Sequence, residues 1–191
     1  MNDRFHIAVF ASGAGSTLQT LIDNQLPHGY HVALMVANRP CMALQRAEAA
    51  HIPTLLSKDW QAIDMALEQH QVQLIVLAGF LAIIPEWICT KWAQRIINIH
   101  PSLLPRHGGK GMYGIRVQEA VLASGDTVAG CTVHYVSAEV DGGHIIAQAT
   151  IDVLPDETPE SLSLRVQAQE KQLLPRTIAE IMQHASQNSI L

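Results

Sequence analysis

The chain has 191 residues, 48% of them apolar and 15% charged, with a formal net charge of −5. That length favours one domain with a sizeable core, and the composition excludes a disordered chain. The acidic balance argues against nucleic acid as the main partner, and the longest apolar run, Leu74–Ile84, is too short to span a bilayer.

The start of the chain lacks a signal-peptide layout. Cys41, Cys89 and Cys131 are widely spaced and odd in number, which fits reduced thiols in a cytoplasmic chain. The ten histidines never cluster with cysteines or acids at ligand spacing, so no metal site is expected.

His6–Ala11 reads as a first strand. Ser12–Thr17 is a Gly/Ser turn, followed by the helical pattern Leu18, Leu21, Ile22. A strand, such a turn and a helix N-terminus together suit an anion, because backbone N–H groups and the helix dipole point at it. Gly13 and Gly15 match two glycines of a dinucleotide fingerprint, but Leu18 stands where the third belongs. The second strand, His31–Ala37, ends at Asn38 rather than at an acid for a ribose. These features favour a phosphomonoester over NAD; a plain tight turn fits the same residues.

Ala43–Ala50 and Ala62–His70 have helical composition, and Ile52–Leu56 suits a short strand. Leu74–Ala78 is an apolar strand ended by Gly79. The apolar stretch after it, Phe80–Pro85, lines either a pocket for a flat ligand or the core. Pro85 begins a helix over Glu86–Ala93.

The informative stretch is Arg95–Pro105. Ile96, Ile97 and Ile99 are β-branched and suit a buried parallel strand. Asn98 and His100 interrupt them two residues apart, so they share one face at a spacing of about 6.6 Å. Pro101 stops the ladder, since it has no N–H to donate. An amide and an imidazole thus stand at the carboxyl end of a strand, where open α/β sheets bind ligands. A hydrogen-bonded pair that merely ends a strand fits equally well.

Arg106–Gly114 holds four glycines and reads as a flexible loop or lid, with Lys110 either meeting a phosphate or solvated. Ile115–Ser124 is an amphipathic helix that Gly125 can end. Cys131–Val136 and His144–Val153 read as an antiparallel hairpin across Ser137–Gly143, with Asp141-Gly142 as its turn signal. His134 alternates with Val133 and Val136 and reads as structural. Thr158 and Pro159 start the last helix. There Glu170 shares a face with Val166, Leu173 and Leu174, so its carboxylate needs a donor, either a side chain or ligand hydroxyls. Pro175 is expected to kink or interrupt that helix, and Ser186–Leu191 to fray.

Six segments together resemble the phosphoribosylglycinamide formyltransferase family, folate-dependent enzymes of purine synthesis. They are ASGAGSTLQ (11–19), LAGFL (77–81), NIHPSLLP (98–105), GCTVHYV (130–136), VDGG (140–143) and RVQAQE (165–170). The resemblance covers nearly the whole chain. It implies an α/β fold: a Rossmann-like open, mostly parallel sheet with helices on both faces and a C-terminal antiparallel hairpin. It also implies one formyltransferase domain, with residues 1–97 as a phosphate-binding half and 98–191 as a catalytic and folate-binding half. The implied donor is 10-formyltetrahydrofolate and the implied acceptor 5-phosphoribosylglycinamide, with no nucleic acid or membrane partner, in a cytoplasmic monomer or homodimer.

By position, Asn98, His100 and Asp141 match the family's catalytic trio. Gly15, Ser16 and Thr17 match its phosphate loop, with Thr17 where many members have Asn. Glu170 matches its ribose-binding acid. Leu81, Ala82, Ile83 and Ile84, with Ser137, Ala138, Glu139, Val140 and Asp141, match loops around the folate pterin, to which Asn98 also belongs. Many members carry Arg where this chain has Ala82, and only Lys58 is basic between 56 and 62.

The implied chemistry is attack of a neutral amine on a formyl carbon. Asn98 and a protonated His100 would stabilise the oxyanion, and the imidazole, oriented by Asp141, would help move the proton. Among sister enzymes, a methionyl-tRNA formyltransferase would need a further C-terminal domain and a basic surface. A 10-formyltetrahydrofolate hydrolase would need an extra N-terminal domain. A non-catalytic nucleotide-binding module would leave the trio without a task.

Overall fold

In a computed structural model of the chain, residues 4–188 are described. Strands and helices alternate as β1 (Phe5–Phe10), α1 (Ser16–His28), β2 (Tyr30–Ala37), α2 (Met42–Ala49), β3 (Thr54–Leu56), α3 (Trp60–Gln69), β4 (Leu74–Leu77), α4 (Glu86–Lys91), β5 (Ile96–His100) and α5 (Ile115–Ala123). A hairpin of β6 (Val128–Tyr135) and β7 (Ile145–Asp152) follows, then the long α6 (Pro159–Asn188). The strands form one sheet in the order β3-β2-β1-β4-β5-β6-β7. Pairs from β3 to β5 are parallel; β6 pairs antiparallel with β5, and β7 with β6. The fold is therefore the mostly parallel α/β sheet with a C-terminal hairpin that the sequence implies.

The period of two explains the layers. Ile7 and Val9 face α1 and α6, in a core with Leu18, Leu21, Val166, Leu174 and Ile178. Ala8 and Phe10 face the other side, with Ile63 and Leu67 of α3 and Ile88 of α4. β1 and β4 are neighbours whose connections run in opposite directions, so the crevice at their carboxyl ends is the switch point where such sheets bind ligands. On the α3–α4 side, Asp64 accepts from Lys91 Nζ at 2.6 Å and Trp92 Nε1 at 2.9 Å. Burial opposes the Asp64 charge, yet these donors hold its carboxyl below the usual carboxylate range.

Three expectations need correction. α6 runs through Pro175 without interruption. Leu174 and Ile178 on either side are fully buried, so packing outweighs the one lost backbone bond. Lys171, whose carbonyl loses its partner, is exposed to water, and Thr177 Oγ1 donates to the Leu173 carbonyl nearby. The helix also continues to Asn188, into the expected frayed tail; residues 189–191 lie outside the described residues. The α4 helix is shorter than expected, ending at Lys91 with Trp92 as its cap.

Among the described residues, no helix is long and apolar enough to cross a membrane. The hairpin is tightly closed at Gly143, where an added Cβ would overlap the Tyr135 carbonyl oxygen. Gly143→Ala is therefore expected to cost about 1–3 kcal/mol, read as a lower midpoint in urea unfolding; an unchanged midpoint would mean that the turn can yield.

Candidate functional site

Asn98 and His100 leave β5 on one face, as the two-residue spacing requires. The antiparallel register places His134 opposite Asn98 and Thr132 opposite His100. His134 Nδ1 lies 2.9 Å from the Tyr135 carbonyl, which can only accept, so Nδ1 carries the proton. Nε2 then offers a lone pair to the Asn98 amide at 3.1 Å. That donor–acceptor sequence fixes both the ring tautomer and the orientation of the amide. Burial pushes the His134 ring below the usual histidine range, against the pull of the Tyr135 carbonyl and the Asp141 carboxylate. A neutral His134 thus points one N–H of Asn98 away and leaves the other N–H free for a ligand.

Asp141 sits in the β6–β7 turn with φ 56°, a left-handed conformation that Asp tolerates better than most residues. Its Oδ2 lies 3.5 Å from His100 Nδ1, and its Oδ1 3.7 Å from His134 Nε2. The amide, the imidazole and the carboxylate, separated by up to 43 residues in sequence, therefore meet. His134 joins them. The register of β5 against β6 brings it in, and the only sequence signal was its alternation with valines. The β6–β7 pairing shifts register between Val133 and His134, the kind of bulge that re-aims side chains near sites.

The expected flexible loop is in part firmly held. Ser102 Oγ donates to the Arg106 carbonyl at 2.7 Å, and Leu104 N–H donates to Thr132 Oγ1 at 3.0 Å. The Gly109 N–H donates to Asp141 Oδ2 at 2.9 Å, and His100 Nε2 lies 2.9 Å from the His107 carbonyl. Both nitrogens of His100 face acceptors. Lys110, beyond these ties, is exposed.

At the end of β1, the Gly15 backbone turns with φ 73° and packs so closely on Ala43 that a Cβ would overlap it. α1 begins at Ser16 with no side-chain cap, which leaves its first-turn N–H groups without a side-chain acceptor, as an anion site would require. Arg46 Nε donates to the Ala14 carbonyl at 2.8 Å, which sets a guanidinium beside the turn. Ser12, almost fully buried, donates to Asn38 Oδ1 at 2.8 Å and accepts from the Leu81 N–H at 3.0 Å. It ties this turn to the loop after β4.

Glu170, on α6 facing β6, is 8% exposed, and none of the described residues donates a hydrogen bond to it. Burial pushes its carboxyl up to about 7, only partly offset by Lys171. Of the two readings of its donor, the protein supplies none.

A cavity of about 440 Å³ lies between α4 and the hairpin. Ser137 and Ala138 line it with Cys89, Thr90, Tyr135 and Val136. The other expected pterin residues, Asn98 and Asp141 among them, do not line it: Leu81 and Ile83 are 51% and 69% exposed, Ile84 is buried in the α3–α4 core, Ala82 is half-buried, and Glu139 and Val140 are exposed. Among the described residues, no group of three His, Cys, Asp or Glu is placed to hold a metal ion.

An open α/β sheet with polar side chains converging at its carboxyl edge defines a small-ligand domain of the doubly wound class. The chain belongs to the formyl transferase family, whose profile matches residues 5–178. It is similar to a phosphoribosylglycinamide formyltransferase from Anaplasma phagocytophilum, with 36% identity, a TM-score of 0.88, and coverage of 95% of this chain and 89% of that one. A chloroplastic phosphoribosylglycinamide formyltransferase of Arabidopsis thaliana is 35% identical over 93% of this chain and 65% of its own length. A trifunctional purine biosynthetic protein of Drosophila melanogaster is 38% identical over 94% of this chain, which spans 14% of that protein.

The lone Glu170 carboxyl gives stability a definite pH dependence. Unfolded, it ionises near the ordinary glutamate value of 4.5; folded, burial pushes it up to about 7. Below the lower value both states hold the proton. As pH rises, the unfolded chain ionises first, and stability falls until the folded pKa is passed. Glu170→Gln is expected to raise Tm by several degrees at about pH 8 and hardly at all at about pH 5; a pH-independent difference in calorimetry would count against a desolvated carboxyl.

Proposed function

We propose that the chain transfers the formyl group of 10-formyltetrahydrofolate to the amine of 5-phosphoribosylglycinamide in purine synthesis. The observation that carries this reading is the meeting of Asn98, His100 and Asp141 at the carboxyl end of β5. The names of the Anaplasma and Arabidopsis relatives support the same chemistry. The acceptor's phosphate fits the start of α1, and its ribose hydroxyls supply the donors that Glu170 lacks. On this reading Ser137 and Ala138 of the hairpin turn, with the loop after β4, meet the pterin of the donor. Residues 1–97 then serve mainly the phosphate, and 98–191 the chemistry and the folate. The free thiols suit a reducing compartment such as the cytoplasm.

The amine attacks the formyl carbon, and negative charge grows on its oxygen. The free N–H of Asn98 and the Nδ1 side of His100 are placed to stabilise that charge. Asp141, held by the Gly109 N–H, orients the ring. Proton transfer from the amine to the leaving folate nitrogen then runs over His100, directly or through water.

Incubation with 10-formyltetrahydrofolate, with and without the ribonucleotide, tests the reading. Acceptor-dependent loss of formyl supports it, and acceptor-independent release would instead mark a hydrolase. Asp141→Asn should keep the fold yet lower kcat by about 10²-fold or more; near-normal turnover removes Asp141 from the mechanism. Glu170→Ala should weaken the ribonucleotide far more than the folate in titration calorimetry, and equal losses would reject the ribose contact.

A further inference from the structure

We propose that Asp126, in the turn between α5 and β6 and outside the site, is a positioning residue that holds His100 and Asp141 in register through the backbone of residues 106–109. The inference rests on reading His100 and Asp141 as the reaction pair. Two backbone groups of this short segment touch that pair: the His107 carbonyl meets His100 Nε2 at 2.9 Å, and the Gly109 N–H meets Asp141 Oδ2 at 2.9 Å. One accepts from the imidazole and the other donates to the carboxylate, so displacing the segment would disturb both partners.

The segment has little secondary structure to hold it. Residues 106–109 are turns and bends, and His107 is left-handed at φ 54°. Its backbone is tied by the Ser102 hydroxyl, which donates to the Arg106 carbonyl at 2.7 Å, and its side chains are tied by Asp126. Asp126 Oδ2 lies 2.8 Å from His107 Nε2, and Oδ1 lies 2.6 Å from Arg106 Nη2. The His107 ring, then the Ser124 hydroxyl and the Arg106 charge, keep the Asp126 carboxyl below the usual carboxylate range, against its desolvation. The side chain of His107 is therefore bound outward to Asp126 while its carbonyl is turned inward to His100. That division fixes the carbonyl's aim. By occupying Nε2, the carbonyl also sets which ring nitrogen is left to face Asp141 and the reacting carbon.

The test compares Asp126→Ala with Asp126→Asn, whose amide oxygen can still accept from His107. For the alanine variant, kcat should fall about tenfold to a hundredfold, because small misplacements of reacting groups are costly. KM for either substrate should stay within about twofold, and the asparagine variant should recover most of the rate. The ring Nε2–H of His100, seen in proton–nitrogen NMR of the ligand-free protein, should exchange with water faster in the alanine variant. A folded alanine variant with wild-type kcat and an unchanged ring signal overturns the proposal, as does a change confined to KM. If the alanine variant does not fold, His107→Ala decides: it keeps the carbonyl and loses the anchor, so wild-type kcat overturns the proposal and a matching loss supports it. If the wild type transfers no formyl group, the reaction reading fails by itself, and the ring signal still decides whether Asp126 holds the segment.

Discussion

The antiparallel ladder between β5 and β6 is the constraint on which the site depends. Four strands pair in parallel on one side of it, and their connections are helices that lie over the faces. β6 runs back antiparallel along β5 to Tyr135, opposite Ile97, and the turn that follows reaches over to the His100 side chain. The turn carries Asp141 to His100, and the ladder carries His134 to Asn98.

Around that ladder the polar groups divide between satisfied and waiting. Thr132 is fully committed, bonding the Ser102 carbonyl at 2.6 Å and the Leu104 N–H at 3.0 Å, and so fixes the turn after β5. His134 is committed to Tyr135 and Asn98. Glu170 and one N–H of Asn98 are left for something else. Buried polar groups without partners are costly, so their survival beside committed neighbours points to ligands.

Much of the sheet was legible because buried parallel strands are apolar runs and helices announce their faces by spacing. Asn98 and His100 were legible as a pair because the strand period fixes their side. Glu170 was legible because a carboxylate on a stripe with Val166 and Leu174 is conspicuous. Asp141 was not legible from local pattern: an Asp-Gly turn looks the same whether or not a histidine waits across it, and only the resemblance singled it out. His134 needed a register that no local signal encodes. Pro175 misled because helix rules for isolated segments ignore the core that holds α6. The loop at 106–109 misled because glycine content reports backbone freedom and not the side-chain anchors that remove it.

Ser12 has a consequence for how a ligand is met. One hydroxyl joins the ends of β1 and β2 to the loop after β4, donating to one side and accepting from the other. The floor of the crevice at the switch point is thus assembled when the polypeptide folds, not when a guest arrives. A visitor there gives up its own freedom of motion but does not also have to freeze that part of the host.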